Sequence, residues 1–186
     1  MTVFLLLAGC SRTNQEKRPA STIVPIAPAA QDQGGNSESR TPYYIGLIEE
    51  YKTLLAEDPG NLASNIALAN AYFDSGQWRE AIMYYERALQ IDPRNPDIRT
   101  DMATSYRNLG MTGAALDQYR KALEYDPGHQ NARYNIGVIY AHDRHDYAAA
   151  IHIWEDLLRI APHHPRAEAI RINIEMFKKL SGKGGK

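Results

Sequence analysis

The sequence predicts an all-α solenoid, because a 34-residue pattern recurs through most of the chain. One proline closes each repeat, with spacings of 34, 34 and 35 residues, at Pro59, Pro93, Pro127 and Pro162. Between the prolines, apolar residues return at spacings of three and four, which indicates helices with one buried face. A fixed period of this length means that the core forms by stacking similar units.

The same residue types also return at matching positions inside each repeat. Small residues recur where neighbouring helices must approach closely, at Ala69, Ala103 and Gly137 and again at Ala81, Ala115 and Ala150. Aromatic residues form two further columns, Tyr72, Tyr106 and Tyr140, then Tyr85, Tyr119 and Trp154. Three consecutive matching units make the repeat assignment specific.

The predicted elements follow from this register. Thr41-Pro42 has the chemistry of a helix start, so a single helix is expected to about residue 57 within a half-repeat over 41–61. Three units with two helices each follow, over 62–95, 96–129 and 130–164. A final helix over 165–180 would cap the stack through its polar outer residues, and 181–186 would be a disordered tail.

The third unit departs from the other two at its central turn. Gly76 and Gly110 separate the two helices of the first and second units, where a left-handed residue ends the first helix. The third unit has one extra residue and no glycine there. We therefore expect an irregular segment around residues 143–146.

These columns resemble the tetratricopeptide repeat (TPR) family over about residues 43–180. The resemblance implies a right-handed superhelical solenoid of antiparallel helix pairs, whose first helices line a concave groove that binds a partner protein. The family's usual tryptophan near the start of the first helix is replaced by Asn65, Arg99 and Arg133. By column, the groove residues would be Ile66, Asn70, Phe73, Asp74, Asp97, Thr104, Arg107, Asn108, Tyr134, Val138, Ala141 and His142.

The first ten residues resemble a bacterial lipoprotein signal. An apolar stretch ends in Leu7-Ala8-Gly9-Cys10, and Cys10 is the single cysteine of the chain. The resemblance implies cleavage of a signal peptide over 1–9 and attachment of acyl chains to Cys10, with Ser11 favouring the outer membrane, facing the periplasm. The basic region that normally precedes such a core is missing, so the alternative is a chance apolar start on a cytosolic protein. Residues 10–40 are rich in polar and small residues and predict a disordered, lipid-anchored tether.

Composition disfavours several other functions. A net charge of −1 with no basic cluster argues against binding nucleic acid. No nucleophile motif, phosphate loop or cofactor motif is present, so neither enzymatic activity nor a cofactor is expected. A lone His142/His145 pair next to aspartates leaves a remote alternative, a cytosolic metal-dependent enzyme.

Two binding functions stay open at this point. The first is a scaffold that holds another envelope protein in the groove. The second is a periplasmic chaperone for exported clients, because the segment containing Trp154, Leu157-Leu158, Pro162 and Ala167 resembles repeat proteins of cytochrome c maturation. A scaffold binds one partner tightly, whereas a chaperone binds many extended clients weakly.

Overall fold

The computed structural model describes the backbone of residues 37–183 and the side chains of residues 43–180. The predicted signal peptide, Cys10 and the tether up to residue 36 lie outside the described residues.

The described part of the chain is an all-α solenoid, as the repeat predicted. Each helix packs chiefly on its neighbours in sequence, so the core runs along the stack as a series of similar interfaces. The helices are α1 (Ser37–Glu57), α2 (Leu62–Asp74), α3 (Trp78–Ile91), α4 (Pro96–Asn108), α5 (Thr112–Tyr125), α6 (Gln130–Val138), α7 (Tyr147–Ile160) and α8 (Ala167–Lys183). We call α2, α4 and α6 the first helices and α3, α5 and α7 the second helices of the three units.

Three predicted boundaries differ from the structure. Helix α1 begins at Ser37, before the predicted start at Thr41-Pro42. Its first residues therefore belong to the segment that was predicted to be a disordered tether. Helix α8 begins at Ala167 rather than Pro165, because His164 closes a turn by accepting the backbone N–H of Ala167 on its carbonyl. It also extends through Lys183, into the predicted tail.

The repeated small and aromatic columns form the core. Ala81, Ala115 and Ala150 are fully buried, which lets the paired helices approach closely. The aromatic column is also buried, since no more than 1% of Tyr85, Tyr119 or Trp154 is exposed. These columns therefore hold the two helices of each unit together.

The extra residue of the third unit is absorbed by a π-helical turn. Helix α6 continues into this turn over Ile139–Asp143, where the N–H of Arg144 bonds to the carbonyl of Ile139. His145 then takes a positive φ of 53°, at the place where Gly76 and Gly110 have φ of 78° and 75°. The irregularity expected at 143–146 thus begins earlier, at residue 139, and His145 replaces the missing glycine.

The column that lacks the family's tryptophan has a role of its own. Asn65, Arg99 and Arg133 each donate a side-chain hydrogen bond to the carbonyl of the proline six residues earlier. The bond joins the start of each first helix to the turn before it, and so satisfies a backbone carbonyl of that turn.

Candidate protein-interaction surface

The predicted groove residues lie on the first helices and on the π turn, but they differ widely in exposure. Four are exposed, and these are Asp74, Asp97, Asn108 and His142. Five are half-buried, and these are Ile66, Asn70, Phe73, Thr104 and Arg107. We refer to these nine residues as the groove surface.

The other three predicted groove residues are buried, so that part of the prediction is wrong. Val138 and Ala141 are 1% and 2% exposed, and Tyr134 is 9% exposed. Only Val138 stands in a column that is polar in both earlier units, at Asn70 and Thr104, whereas the columns of Tyr134 and Ala141 already hold Ile66 and Phe73 in the first unit. Tyr134 stacks on Trp154 and His164, and Ala141 belongs to the π turn itself, so these buried side chains offer a partner little surface.

The side chains of Asn70 and Thr104 form hydrogen bonds within their own units. The hydroxyl of Tyr85 donates to Asn70 Oδ1 at 2.7 Å, and the hydroxyls of Tyr119 and Thr104 lie 2.8 Å apart. Burial raises the pKa of Tyr119, which stays protonated. Both groove residues therefore satisfy a buried tyrosine, and replacing either one would disturb the core.

Arg107 links the second unit to the third. Its Nε and Nη2 atoms contact the two carboxylate oxygens of Asp143 at 2.6 and 2.9 Å. Both side chains are about four-fifths buried, and this fork geometry is the strong form of an ion pair. The hydrogen bonds to Asp143 raise the pKa of Arg107. The pair thus fixes the π turn against α4, which sequence spacing alone did not indicate.

The ends of the first helices form a row with a different residue in each unit: Asp74, Asn108 and His142. Asp74 and His142 are exposed as whole residues, but their ionisable groups are partly desolvated. Partial desolvation raises the pKa of the Asp74 carboxyl. Partial desolvation, and then the charge of Arg107, lowers the pKa of His142. The row therefore offers a carboxyl group, an amide and an imidazole, which suits hydrogen bonding to a polypeptide.

Asp97, at the other end of α4, is held by the next unit. His129 is buried, and its Nδ1 atom accepts the N–H of Ala132 at 3.1 Å, so the ring proton lies on Nε2. Nε2 contacts Asp97 Oδ1 at 3.0 Å while the carboxylate stays 76% exposed. Asp97 is therefore positioned at the surface with one oxygen engaged.

Comparison with known proteins identifies the repeat. Family models described as tetratricopeptide repeat match residues 60–126 and 100–167, which together span more than half of the chain. The chain belongs to the tetratricopeptide repeat family. TPR proteins bind protein partners, and the all-helical stack seen here is that of a protein-interaction scaffold.

Solved structures show the same fold. One crystal structure of MamA superimposes with a TM-score of 0.67 and 23% identity, over 78% of this chain and 83% of that one. A second MamA crystal structure gives 0.65 and 22%, over 78% and 77%. No curated protein matches the sequence.

The described part of this TPR chain contains neither a cluster suited to a metal ion nor a helix suited to span a membrane. No group of three or more histidine, cysteine or acidic residues within residues 37–183 is arranged to hold a metal ion. Asp143, which the remote enzyme hypothesis placed beside His142, is instead paired with Arg107. None of the described helices is long and apolar enough to cross a membrane.

An aromatic cluster closes the third TPR unit against α8. Tyr134 stacks on Trp154 and on His164, with ring centres 6.3 and 5.8 Å apart, and Phe177 stacks on Trp154 at 6.1 Å. His164 is buried and its Nδ1 atom accepts the N–H of Arg166 at 3.1 Å. Burial, and then the charge of Arg166, lowers the pKa of this histidine.

His164→Asn is expected to flatten the pH dependence of stability. Because the pKa of His164 is lower in the folded state, the unfolded chain binds the proton more readily. The contribution of neutral His164 to the free energy of unfolding is therefore fully present above about pH 6.5 and is lost as the pH falls below that value. The measurement is the denaturation midpoint at pH 7 and pH 5. The exposed neighbour provides the control, since His163→Asn should keep the wild-type slope. An unchanged slope in His164→Asn would contradict this assignment.

Proposed function

We propose that this TPR chain is a non-catalytic scaffold of the bacterial envelope. It would bind another envelope protein, or a peptide from it, across the groove surface and so support the assembly of an envelope complex. A lipid anchor on Cys10 would hold it at the outer membrane, facing the periplasm. Nucleic acid is not among the expected partners.

The residues that pack between helices repeat from unit to unit, whereas the exposed residues of the first helices do not, and this contrast supports the proposal. The columns that hold each unit together repeat closely, as in Ala81, Ala115 and Ala150. The columns on the exposed side of the first helices differ in every unit, as in Asp74 against Asn108. Packing alone requires only the repeated columns, so the varied side chains are free to fit one particular partner.

The chemistry of the groove surface favours a polypeptide partner. Phe73 offers apolar contact area at its half-buried ring, and Asn108 and His142 offer hydrogen-bonding groups one and two repeats further along. An extended segment crossing the stack would meet these side chains in turn. The Arg107–Asp143 pair beside them, about four-fifths buried, keeps the second and third units in a fixed arrangement, which lowers the ordering cost of binding.

The experiment is photo-crosslinking in the native host, with the crosslinking residue placed at Phe73, Asn108 or His142. We expect one envelope protein to be captured at all three positions. The controls are Met83 and Lys121, exposed residues of the second helices α3 and α5, which should not capture it. Capture of many unrelated exported proteins would instead support the chaperone function. Equal capture at the controls would contradict the groove surface as the binding site.

A further inference from the structure

The two ends of the described solenoid correspond in complementary ways. Helix α1 lies one 34-residue period before α3, so it is a second helix, and residues 37–183 contain no first helix to pair with it. Helix α8 lies one 35-residue period after α6, so it is a first helix, and the same residues contain no second helix to pair with it. Within the described residues, each end therefore has the type of helix that would pair with the other.

The open face of α8 is the face that first helices bury. Ile172 occupies the column of Ala69, Ala103 and Gly137, which are all buried, and Gly137 lies directly against Trp154 of its second helix. In α8 the same column is 60% exposed, and Met176 and Leu180 extend it at 45% and 51%. The polar outer residues expected of a cap are present, but they border this apolar stripe rather than cover the end.

The open face of α1 is likewise the face that second helices bury. Leu47, Tyr51 and Leu54 occupy the columns of Ala81, Tyr85 and Ala88, which are nearly or fully buried in α3. In α1, Leu54 is 44% exposed and Leu47 and Tyr51 are half-buried. Tyr43, near the other end of the stripe, is 63% exposed. No described residue covers either face.

The charges of the two helices also match. The sequence of α1 carries four acidic and two basic residues, a net charge of −2. The sequence of α8 carries two acidic and four basic residues, a net charge of +2. Two copies meeting end to end therefore attract each other, whereas α1 against α1 or α8 against α8 brings like charges together.

We propose that a second copy of this chain covers each open face. The α8 helix of one copy packs antiparallel on the α1 helix of the next, and the two complete one further helix pair between the copies. Ile172 and Leu47 are larger than the alanines at their columns, so the helix axes at this joint lie further apart than within a unit. The joint uses a different surface on each partner, so repeated association builds open chains or a closed ring.

The test uses the full chain in mild detergent, with sedimentation velocity as the readout. Leu54→Glu blocks the α1 end and Ile172→Glu blocks the α8 end, and both side chains are exposed enough for folding to survive. A buried, unpaired carboxylate at the joint should weaken association more than about tenfold. The double variant Leu54→Glu/Ile172→Glu provides the reference for any association that uses neither end.

The mixing experiment gives the decisive result. We expect each single variant to match the double variant, the wild type to form larger assemblies, and an equal mixture of the two single variants to form a dimer and nothing larger. The matched control is Met83→Glu, which changes an exposed apolar residue away from both ends and should assemble like the wild type.

Three outcomes would overturn the proposal. A wild type that matches the double variant would mean that the ends stay free or are covered by another part of the same chain. Association of Leu54→Glu alone would show α8 pairing with α8. Association of Ile172→Glu alone would show α1 pairing with α1.

Discussion

Gly137→Ala is expected to lower the free energy of unfolding by about 2 kcal/mol, although alanine is the better helix former. A Cβ at this position would lie 2.2 Å from Nε1 and 2.4 Å from Cδ1 of Trp154. The indole cannot retreat, because it is 1% exposed and its Nε1 donates to the carbonyl of Tyr134 at 3.1 Å. The measurement is chemical denaturation followed by circular dichroism.

The chain supplies both the control and the rescue for this experiment. Gly113→Ala adds the same methyl group in α5, where no atom lies within 4 Å, and should be neutral or stabilising. The second unit carries Ala103, Thr104 and Tyr119 in the columns of Gly137, Val138 and Trp154. The triple variant Gly137→Ala/Val138→Thr/Trp154→Tyr recreates that set, including the partner for the tyrosine hydroxyl, and should recover most of the lost stability.

A different result would change the account of the third unit. If Gly137→Ala were as stable as the wild type, α6 and α7 would be able to separate at this point. Failure of the triple variant to recover would mean that the π turn, rather than the Gly–Trp pairing, sets the spacing of these two helices.

Cys10→Ala is expected to move the protein from the membrane fraction to the soluble fraction, because acylation would require the thiol. Several acyl chains on one residue give stable anchoring, whereas a single chain holds only marginally. The measurement is fractionation of the native host followed by immunoblotting, together with metabolic labelling by a fatty acid.

Conservative replacement of a nearby residue provides the control. Ser11→Thr keeps the cysteine and its small neighbours and should remain in the membrane with its label. Retention of Cys10→Ala in the membrane fraction, or absence of fatty-acid label on the wild type, would contradict the anchor. Neither result would bear on the groove surface, which is tested separately by crosslinking.

The candidate surface was only partly predictable from the sequence. Column matching placed Asp74, Asn108 and His142 on the exposed ends of the first helices. It placed Val138 and Ala141 there as well, where the structure buries them. The error arises because column matching assumes identical units, and it cannot show how an inserted residue and larger aromatic neighbours rearrange one of them.

The sequence by itself determined the helix pairs, their order and most of their boundaries. Helix formation and the packing of consecutive helices depend on residues a few positions apart or one period apart, and such spacings can be counted directly. The small and aromatic columns of the core, and the turns at Gly76 and Gly110, follow from the same counting.

Only the tertiary structure decided which side chains meet across units and what the ends expose. Arg107 and Asp143 pair across a sequence separation of 36 residues. The apolar stripe of α8 is exposed because no described helix packs on that face. His145 follows the π turn and takes the positive φ that Gly76 and Gly110 have in the other two units. These features depend on the relative placement of the helices, which is set by the packing of large side chains. Counting residue spacings in the sequence cannot predict that placement.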